Sequence, residues 1–365
     1  MKRKLAALLT GAMVLGLGTG ACVANAETSD LNVAVFYYTY SDTYISSVRT
    51  ALDAAFDEAG VTYQDYDSNS NQTTQNEQID TAITMGANLL IVNIVTSGSV
   101  DASQQVVDKA SAAGIPVIFF NRAVESNDDE GTVLGSYDQC AFVGTDAPEA
   151  GHMQGQMIGN YIVENFEDID LNGDGEISYA MFMGQLGNVE AIYRTQYAVE
   201  DANAILEEAE KPVLKYFDES NTDCYQVDQD GNWSAAAANN YMVTNLSQYN
   251  EESGNMIELV ICNNDSMAEG AISALNNSGY NLGDGESTTI PVFGVDATDA
   301  AKQLIAEGKM IGTIKQDAEG MAAAIADLTM NVADGKELMA DTEDYNISET
   351  VSNKIFIPYG EYTGE

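Results

Sequence analysis

Residues 89–121 read L-L-I-V-N-I-V-T-S-G-S-V-D-A-S-Q-Q-V-V-D-K-A-S-A-A-G-I-P-V-I-F-F-N. Two short runs, residues 89–95 and 116–120, consist almost wholly of apolar residues. Between them, the apolar positions of Val100–Ala113 recur with the spacing of an amphipathic helix. A strand, a helix and a second strand in this order predict a βαβ unit. Strands without polar alternation indicate a parallel sheet that is covered on both faces.

The same alternation extends from this unit along the rest of the chain. We predict further strands at residues 32–37, 61–66, 178–183, 213–217, 258–261, 291–295, 311–315 and 354–357. We predict further helices at residues 43–59, 72–85, 188–209, 233–246, 266–277, 300–307 and 318–332. The pattern restarts at residue 178, so we expect an α/β fold with two doubly wound parallel-sheet halves. A ligand would bind in the cleft between the halves, beyond the carboxyl ends of the strands.

Polar and aromatic side chains gather where the predicted strands end. They are Tyr37, Tyr38, Tyr40, Asp42, Tyr44, Asn93 and Asn121 in the first half, and Asn188, Glu190, Arg194, Asn263, Asn264, Asp265, Asp296, Gln316 and Asp317 in the second. Carboxylates, amides and arginine bind vicinal hydroxyls in pairs, and flat rings such as that of Trp233, the one tryptophan, stack on a sugar ring. This pattern is typical of a sugar site. The alternative is that Asn and Asp merely favour loops and helix N-caps.

A second polar motif occupies residues 170–178, which read D-L-N-G-D-G-E-I-S. Asp170, Asn172 and Asp174 hold the first, third and fifth positions of an EF-hand-type calcium loop, and Gly175 stands where such a loop turns sharply. The twelfth position, where an EF-hand has its bidentate Glu, is Met181. We predict a calcium site whose missing carboxylate comes from elsewhere in the fold. A plain Asx- and Gly-rich surface turn is the alternative.

The N-terminus has the organisation of a secretory signal peptide. Basic residues at positions 2–4 precede an apolar run at 5–17, and residues 24–26 read A-N-A, which is an A-x-A cleavage site. We therefore predict a signal peptide at residues 1–26 and an exported chain, periplasmic or at the cell surface. Cys22 as a lipidated anchor is the other interpretation. No later apolar run reaches membrane-spanning length.

The chain is strongly acidic, with 14 basic and 57 acidic residues and a net charge of −43. Such a surface repels nucleic acid and anionic lipid, so we expect neither as a partner. Beyond the predicted signal peptide, the chain has Cys140, Cys224 and Cys262 and no C-x-x-C, which argues against a disulfide framework or a zinc site. We expect Cys262 to be a core residue, and whether Cys140 and Cys224 pair stays open.

The sequence shows no motif of the common hydrolase or nucleotide-binding families. G-x-S-x-G, H-E-x-x-H and a P-loop are all absent, and the lone His152 lies in a helical run away from any strand end. We therefore predict a binding protein and not an enzyme. A secreted carbohydrate-active enzyme, which would need a carboxylate pair, is the rival from another class.

Seven segments spread over nearly the whole exported chain together form a recognisable pattern. They read N-V-A-V-F-Y-Y-T-Y-S-D-T-Y from Asn32, N-E-Q-I-D…G-A-N-L-L-I-V-N from Asn76, G-I-P-V-I-F-F-N from Gly114, D-L-N-G-D-G-E-I from Asp170, I-E-L-V-I-C-N-N-D-S-M-A-E-G-A from Ile257, I-P-V-F-G-V-D-A from Ile290 and G-T-I-K-Q-D from Gly312. The chain in this respect resembles the periplasmic galactose/glucose-binding proteins. These are calcium-containing proteins of the type I periplasmic-binding-protein fold that supply ABC importers.

The resemblance implies which residues hold calcium. The ligands would be Asp170, Asn172, Asp174, the backbone carbonyl of Glu176, Ser178 and, as the distant carboxylate, Glu258. The family usually has Gln where this chain has Ser178, whose shorter side chain would reach the ion through a water. The ion would be structural.

The resemblance also implies the sugar-binding residues, which come from both halves. They are Asp42, Tyr44 and Asn93 from the first half, and Asn188, Glu190, Arg194, Trp233, Asn264, Asp296 and Gln316 from the second. Tyr44 and Trp233 would sandwich the sugar ring. The family has His, Asp and Asn where this chain has Asn188, Glu190 and Gln316. Moving a polar contact by about one methylene changes discrimination between sugars by roughly tens to hundreds of fold. The resemblance leads us to expect a glucose- or galactose-like hexose. The three differences make another sugar the alternative.

The resemblance further implies two lobes joined by a three-strand hinge. The N-terminal lobe would comprise residues 27–121 and 317–354, and the C-terminal lobe residues 122–316 and 355–365, with the calcium loop at 170–178. The hinge crossings would fall near residues 121–123, 316–317 and 354–358. Expected partners are a monosaccharide, an ABC transporter permease and a chemoreceptor, and the chain would be a monomer that closes on its ligand.

Overall fold

A computed structural model describes residues 31–364, so the predicted signal peptide and Cys22 lie outside the described residues. The strands, in chain order, are β1 (Asn32–Tyr37), β2 (Thr62–Asp67), β3 (Leu89–Val92), β4 (Val117–Phe120), β5 (Cys140–Gly144), β6 (Ser178–Met183), β7 (Lys215–Tyr216), β8 (Gln226–Val227), β9 (Leu259–Cys262), β10 (Val292–Asp296), β11 (Gly312–Gln316), β12 (Asn346–Ile347), β13 (Lys354–Phe356) and β14 (Tyr359–Tyr362). The helices are α1 (Thr43–Ala59), α2 (Gln72–Thr84), α3 (Val100–Ala113), α4 (Ala147–Ile169), α5 (Val189–Glu208), α6 (Ala235–Leu246), α7 (Asp265–Asn277), α8 (Asp299–Ala306) and α9 (Ala318–Ala333).

The first lobe is a seven-stranded sheet with the order β12-β13-β5-β4-β3-β1-β2. Its strands are parallel except for the β12–β13 pair. One face is covered by α1 and α9 and the other by α2 and α3. All residues of β3 and β4 are buried, as their uninterrupted apolar sequence predicts for strands that are covered on both faces.

The second lobe repeats this architecture around a sheet with the order β14-β11-β10-β9-β6-β7. Its strands are parallel except for the terminal β14, which runs antiparallel to β11. Strand β8 lies outside this order and pairs in parallel with β6. Helices α4 and α5 pack on one face, and α6, α7 and α8 lie on the other. The predicted α/β fold with two doubly wound parallel sheets is therefore confirmed.

The predicted boundary between the lobes is wrong at residues 121–122. Strand β5 was not predicted, and it pairs with β4 in the first sheet through residues 117–120 and 140–143. The first lobe therefore extends through Gly144 instead of ending at residue 121. Residues 355–356, which we assigned to the C-terminal lobe, also pair with β5 in the first sheet.

The three crossings between the lobes follow from these pairings. The first lies between the end of β5 at Gly144 and the start of α4 at Ala147, and not near residues 121–123 as predicted. At the second, β11 ends in the second sheet at Gln316 and α9 begins at Ala318 against α1. At the third, the chain passes from β13 to β14 through Ile357 and Pro358.

Close packing between α4 and α5 sets the position of the second lobe's ligand-facing helix. Gly151, Gly155 and Gly159 lie one turn apart on α4 and face α5. A Cβ atom at Gly151 would lie 2.5 Å from the carbonyl oxygen of Tyr193, so the two backbones touch and no side chain fits between them. This contact orients α5, whose N-terminal turns carry three of the predicted site residues.

Within the described residues, the cysteines and His152 lie in different environments. Cys140 is buried, Cys224 is exposed and both are free, so they do not pair; Cys262 is a buried core residue as predicted. His152 lies half exposed on α4, where its Nδ1 contacts Asp201 Oδ2 at 2.8 Å. Within residues 31–364, no helix is long and apolar enough to cross a membrane.

Candidate functional site: a polar cavity between the lobes

A cavity lies between the two lobes at the carboxyl ends of the strands. It encloses about 360 Å³ of space, part of it open to solvent, and we call it the cleft cavity. Its walls are formed by Tyr38, Asp42, Tyr44, Ile45, Asn121, Arg122, Asn188, Glu190, Arg194, Trp233, Asn264, Asp296 and Gln316. Nine of the ten predicted sugar-binding residues therefore lie together.

Three of the cavity residues also cap helices. Asp42 Oδ1 accepts from the backbone N–H of Ile45 at 2.9 Å, and Asn188 Oδ1 accepts from Ala191 N–H at the same distance. Asn264 Oδ1 accepts from Met267 N–H at 3.0 Å. Capping uses one oxygen of each side chain. Asp42 Oδ2 also accepts from the hydroxyl of Tyr38 at 2.6 Å, and Asn264 Nδ2 donates to Trp233 O at 3.3 Å. Both interpretations of the strand-end residues, as ligand contacts and as N-caps, thus describe the same side chains.

Four buried polar atoms of the cavity wall have no hydrogen-bond partner in the described part of the chain. They are Glu190 Oε2, Arg194 Nε, Trp233 Nε1 and Gln316 Nε2. Leaving such a group buried and unpaired costs about 1–3 kcal/mol each. One acceptor and three donors thus belong to residues that line the same cavity, and hydroxyl groups, which both donate and accept, are the kind of partner that they lack.

Arg194 holds the second-lobe side of the cavity in place. Its guanidinium donates to Asn263 O at 3.0 Å, to Gln316 Oε1 at 3.2 Å and to the hydroxyl of Tyr359 at 3.1 Å. Asp296 Oδ1 lies 4.0 Å away and balances part of the charge. Burial raises the pKa of Asp296 well above its ordinary value, against the opposing effect of Arg194. Burial likewise raises the pKa of Glu190, which its own backbone N–H and Arg194 oppose.

The backbone around the cavity is strained in several places. Trp233 has a φ of 56°, Asn121 of 60°, Asp296 of 125° and the adjacent Ala297 of 55°. Residues other than glycine rarely adopt positive φ, and for a residue as bulky as Trp this is an outlier. Such strain is typical of ligand clamps, where the surrounding fold holds a side chain in a required position.

Asn93 is the one predicted sugar residue that the cavity excludes. Its side chain is fully buried, and its Nδ2 donates to Phe120 O at 3.0 Å and to Asn121 Oδ1 at 3.2 Å. Its Oδ1 accepts from the backbone N–H of Tyr38 at 3.3 Å. These bonds tie the ends of β1 and β4 together, and contact of Asn93 with a sugar stays a prediction.

Arg122 and Ile45 are wall residues that the sequence did not identify. Arg122 Nε donates to Ile94 O at 2.8 Å, its Nη2 donates to Val95 O at 2.9 Å, and its guanidinium lies 4.2 Å from the ring centre of Tyr38. The same Nη2 donates to Gln185 Oε1 of the other lobe at 2.7 Å. Tyr38 and Asn121 were recognised at strand ends but were not assigned to the site. The sequence signal for Arg122 was its place directly after Asn121.

The two lobes are in contact across the cleft. Besides Arg122–Gln185, the hydroxyls of Thr43 and Ser266 lie 2.8 Å apart, and Ser70 Oγ donates to Asn232 Oδ1 at 3.3 Å. The cavity therefore has walls on both sides, as expected for a protein that closes around its ligand.

The predicted calcium loop forms a tight turn whose oxygens are used internally. The carboxylate of Asp170 accepts from the backbone N–H groups of Gly173, Asp174 and Gly175 at 2.8–3.1 Å. Asn172 Oδ1 accepts from Asp174 N–H and Asp174 Oδ1 from Glu176 N–H, at 2.8 and 2.9 Å.

Glu258, the predicted distant ligand, lies against this loop. Its Oε1 accepts from Leu171 N–H at 2.9 Å and Asn172 N–H at 3.2 Å, and its Oε2 accepts from Ser178 N–H at 3.0 Å. The hydroxyl of Ser178 donates to Met256 O and not toward the loop. Within residues 31–364, no three acidic, His or Cys side chains converge on a point that would hold a metal. The loop and Glu258 thus meet, but the carboxylates do not form a preassembled metal site.

Comparison with known proteins identifies the family. The sequence profile of the periplasmic binding protein domain matches residues 33–337. The chain is 32% identical, over 98% of its own length and 96% of the relative's, to the D-galactose/methyl-galactoside binding periplasmic protein of Haemophilus influenzae. It is 25% identical to the D-xylose-binding periplasmic protein of Escherichia coli, over 80% of this chain and 74% of that one.

Solved structures show the same fold. A solute-binding protein of an ABC transporter from Bacillus halodurans, with bound myo-inositol, superposes with a TM-score of 0.66 at 24% identity, over 93% of this chain and 96% of that one. One from Actinobacillus succinogenes, with bound D-allose, gives 0.68 at 19% identity, over 92% and 98%. The chain belongs to the periplasmic binding protein family, whose members bind solutes and are not enzymes.

Proposed function

We propose that this protein binds a monosaccharide outside the cytoplasm and delivers it to an ABC importer. The single observation that carries the proposal is the set of four unpartnered buried atoms in the cleft cavity, on Glu190, Arg194, Trp233 and Gln316. A polyol ring supplies several hydroxyls, each able to donate and to accept, which are the partners that these four atoms lack. The relatives that bind galactose and xylose support the same ligand class.

A glucose- or galactose-like hexose is the ligand we propose first. The support is the 32% identity to a galactose-binding relative. Glu190 and Gln316 are each longer by one methylene than the residues usual in the resembling family, and Asn188 is smaller than the usual His. Together these differences change which hydroxyls are reached, so another sugar on the same scaffold is the second candidate.

Calorimetric titration with a panel of monosaccharides tests the proposal. The panel contains glucose, galactose, xylose, ribose and arabinose, and we expect a hexose to bind with the highest affinity. Incubation of the same preparation with aryl glycosides serves as the control for an enzyme, and we expect no turnover. Absence of binding to every monosaccharide would overturn the proposal, and turnover would favour the carbohydrate-active enzyme.

We further propose that Ca²⁺ binds at residues 170–178 as a structural ion. The loop supplies the oxygen donors that a hard cation prefers, and Gly175 with a φ of 82° makes the turn such a loop needs. Glu258 already lies against the loop, at the start of β9, so the ion would tie two segments of the second lobe together. The side chains of Asp170, Asn172, Asp174 and Glu258 would hold it.

The remaining partners follow from the proposed role. The permease of an ABC importer would receive the closed, loaded protein, and a chemoreceptor could read the same closed form. The protein would act as a monomer, because the ligand is enclosed by two lobes of one chain. Size-exclusion chromatography with light scattering, with and without sugar, measures the oligomeric state directly.

A further inference from the structure

Asp265, the first residue of α7, is a fully buried acid that does not line the cleft cavity. It directly follows Asn264, which does line that cavity. Burial raises the pKa of the Asp265 carboxyl to about 7, and hydrogen bonds from Thr313 and Thr298 oppose this shift. Because burying a carboxylate is costly unless it is hydrogen-bonded, the partners of Asp265 indicate what it contributes.

The carboxylate of Asp265 connects α7 to two other segments of the second lobe. Its Oδ1 accepts from the hydroxyl of Thr313, on β11, at 2.7 Å. Its Oδ2 accepts from the backbone N–H of Thr298, just after β10, at 2.8 Å. Each oxygen has its own donor, whereas an amide in the same place would offer only one acceptor. Both bonds therefore depend on a carboxylate.

Gly294 leaves the space that this carboxylate occupies beside β10. A Cβ atom at Gly294 would collide with Asp265 Oδ1, so a side chain there would displace the carboxylate. Gly294 lies on the same strand as Asp296, two residues before it. The carboxylate of Asp265 is thus held directly against the strand that carries a residue of the cleft cavity.

The same contacts hold the turn that follows β10. Asp296 and Ala297 have φ angles of 125° and 55°. The N–H of Ala297 donates to Thr313 Oγ1 at 3.3 Å, and the N–H of Thr298 donates to Asp265 Oδ2. Residues other than glycine keep positive φ where the surrounding structure imposes it. Asp265 and Thr313 supply that constraint, because they bind the two N–H groups that come directly after Asp296.

Stabilisation of α7 alone does not explain these contacts. An acid in the first turn of a helix interacts favourably with the helix dipole and needs no partner in another element. Asn264 already caps α7, through the N–H of Met267. The carboxylate of Asp265 is used instead by β11 and by the turn after β10.

We propose that Asp265 and Thr313 are positioning residues of the sugar site, which hold residues 296–298 in the conformation that directs the Asp296 carboxylate at one hydroxyl of the ligand. This inference rests on the proposed function and adds to it two residues that do not touch the sugar. Without their bonds, the turn would relax toward negative φ, and the Asp296 carboxylate would move away from its hydroxyl.

Two substitutions of Thr313 test the inference. Thr313→Val keeps the branched shape but removes the hydroxyl, whereas Thr313→Ser keeps the hydroxyl. We expect Thr313→Val to bind the preferred monosaccharide about tenfold more weakly, and Thr313→Ser to remain within about threefold of the unmodified protein. Thr329→Val is the matched control, since Thr329 is equally buried but its hydroxyl donates to Ile325 O within α9. We expect the control to bind sugar normally.

A set of deoxy sugars separates positioning from a merely structural role. Each member lacks one hydroxyl of the preferred sugar, and its loss of affinity measures the bond made at that position. We expect Thr313→Val and Asp265→Asn to lessen the loss at the same single position, and to leave the losses at the other positions unchanged. That position should be the hydroxyl that contacts Asp296 in a structure of the sugar complex.

The outcomes distinguish this inference from the proposed function. Normal affinity in Thr313→Val, or an equal weakening at every hydroxyl position, would overturn the inference while sugar binding stands. Melting curves show whether the variants are folded, and the Thr313 pair decides alone if Asp265→Asn does not fold. If the unmodified protein binds no monosaccharide, the proposed function is overturned and this inference with it.

Discussion

The cleft cavity and the loop at residues 170–178 are both dense polar clusters, but their atoms are used in opposite ways. In the cleft cavity, four buried polar atoms have no partner, and the backbone is strained at Trp233 and Asp296. In the loop, the carboxylate of Asp170 accepts three backbone hydrogen bonds, and both oxygens of Glu258 also have backbone donors. A buried group without a partner indicates a ligand, whereas a satisfied group indicates a structural role.

Gln316 and Asn93 give the strongest test of this contrast. Gln316→Ala removes the unpartnered Nε2 and the acceptor for Arg194, so we expect sugar affinity to fall roughly tenfold to a hundredfold. Asn93→Ala removes bonds within the first lobe, so we expect it to destabilise the protein by about 1–3 kcal/mol. Calorimetric titration and thermal unfolding of both variants measure the two effects.

The contrast between unpartnered and partnered buried groups would be contradicted if the two variants behaved alike. A Gln316→Ala protein with normal affinity would mean that its amide does not contact the sugar. An Asn93→Ala protein that keeps its melting temperature but loses affinity for one sugar would show that Asn93 contacts the ligand.

Gly184 offers a second test, because a side chain at this position would change the cavity through one ring, that of Trp233. A Cβ atom at this position would lie 2.1 Å from two ring atoms of Trp233, so Gly184→Ala must displace that ring. Loss of a well-placed aromatic contact costs about 1 kcal/mol or more, and we expect affinity to fall about tenfold. Gly135→Ala is the matched control, since nothing lies within 4 Å of its Cβ position. Equal affinities for the two variants would show that the ring position is not important.

Glu258 tests the structural side of the contrast. Glu258→Gln replaces a carboxylate that accepts three backbone hydrogen bonds, and we expect the melting temperature to fall by roughly 5 °C with little change in sugar affinity. If the loop binds Ca²⁺, EDTA will lower the melting temperature of the unmodified protein but not that of the variant. Glu252→Gln, an exposed acid nearby, is the control. An EDTA response that persists in Glu258→Gln would argue against Glu258 as a ligand.

A third cluster has unpartnered buried atoms but does not line the cleft cavity. Tyr37, Asp53 and Asp65 each leave one oxygen unpaired. Burial, with the charge of Asp53, raises the pKa of Asp65 to about 7. Because the pKa of Asp65 is higher in the folded protein than in the unfolded chain, where it is about 4, the protonated carboxyl adds stability that is fully present below about pH 4. This stability is lost as the pH rises through about 7.

Asp65→Asn should therefore remove part of the pH dependence. After allowance for solvent screening, we expect the variant to melt about 2 °C higher than the unmodified protein at pH 8, and the difference to shrink toward pH 5. Melting curves across this range, with the exposed Asp138→Asn as control, measure the effect. If the variant is destabilised equally at all pH values, ionisation of Asp65 is not the cause of the pH dependence.

The sequence predicted most of the fold, because apolar strands and amphipathic helices alternate clearly. It missed β5, although all five of its residues are buried, because Cys, Ala and Gly weaken the strand pattern of C-A-F-V-G. That omission misplaced the first hinge crossing, since the strand order of a sheet depends on pairings between distant segments. Strand pairing is therefore the part of the fold that local patterns could not supply.

The candidate site residues were found from the sequence by their position at the ends of predicted strands. For Asn93, the sequence alone did not reveal its bonds within the first lobe, because the partners of its amide are 27 and 28 residues away. Arg122 was missed because its carbonyl partners, Ile94 and Val95, are brought to it by the packing of the first sheet.

A structure of the protein with its tightest-binding monosaccharide is the most direct measurement. We predict one sugar ring in the cleft cavity, with ring oxygens or hydroxyls within about 3 Å of Glu190 Oε2, Arg194 Nε and Gln316 Nε2, and the ring against Trp233. A sugar bound elsewhere, or one that leaves these atoms unpaired, would contradict the proposal that unpartnered buried groups form the binding site.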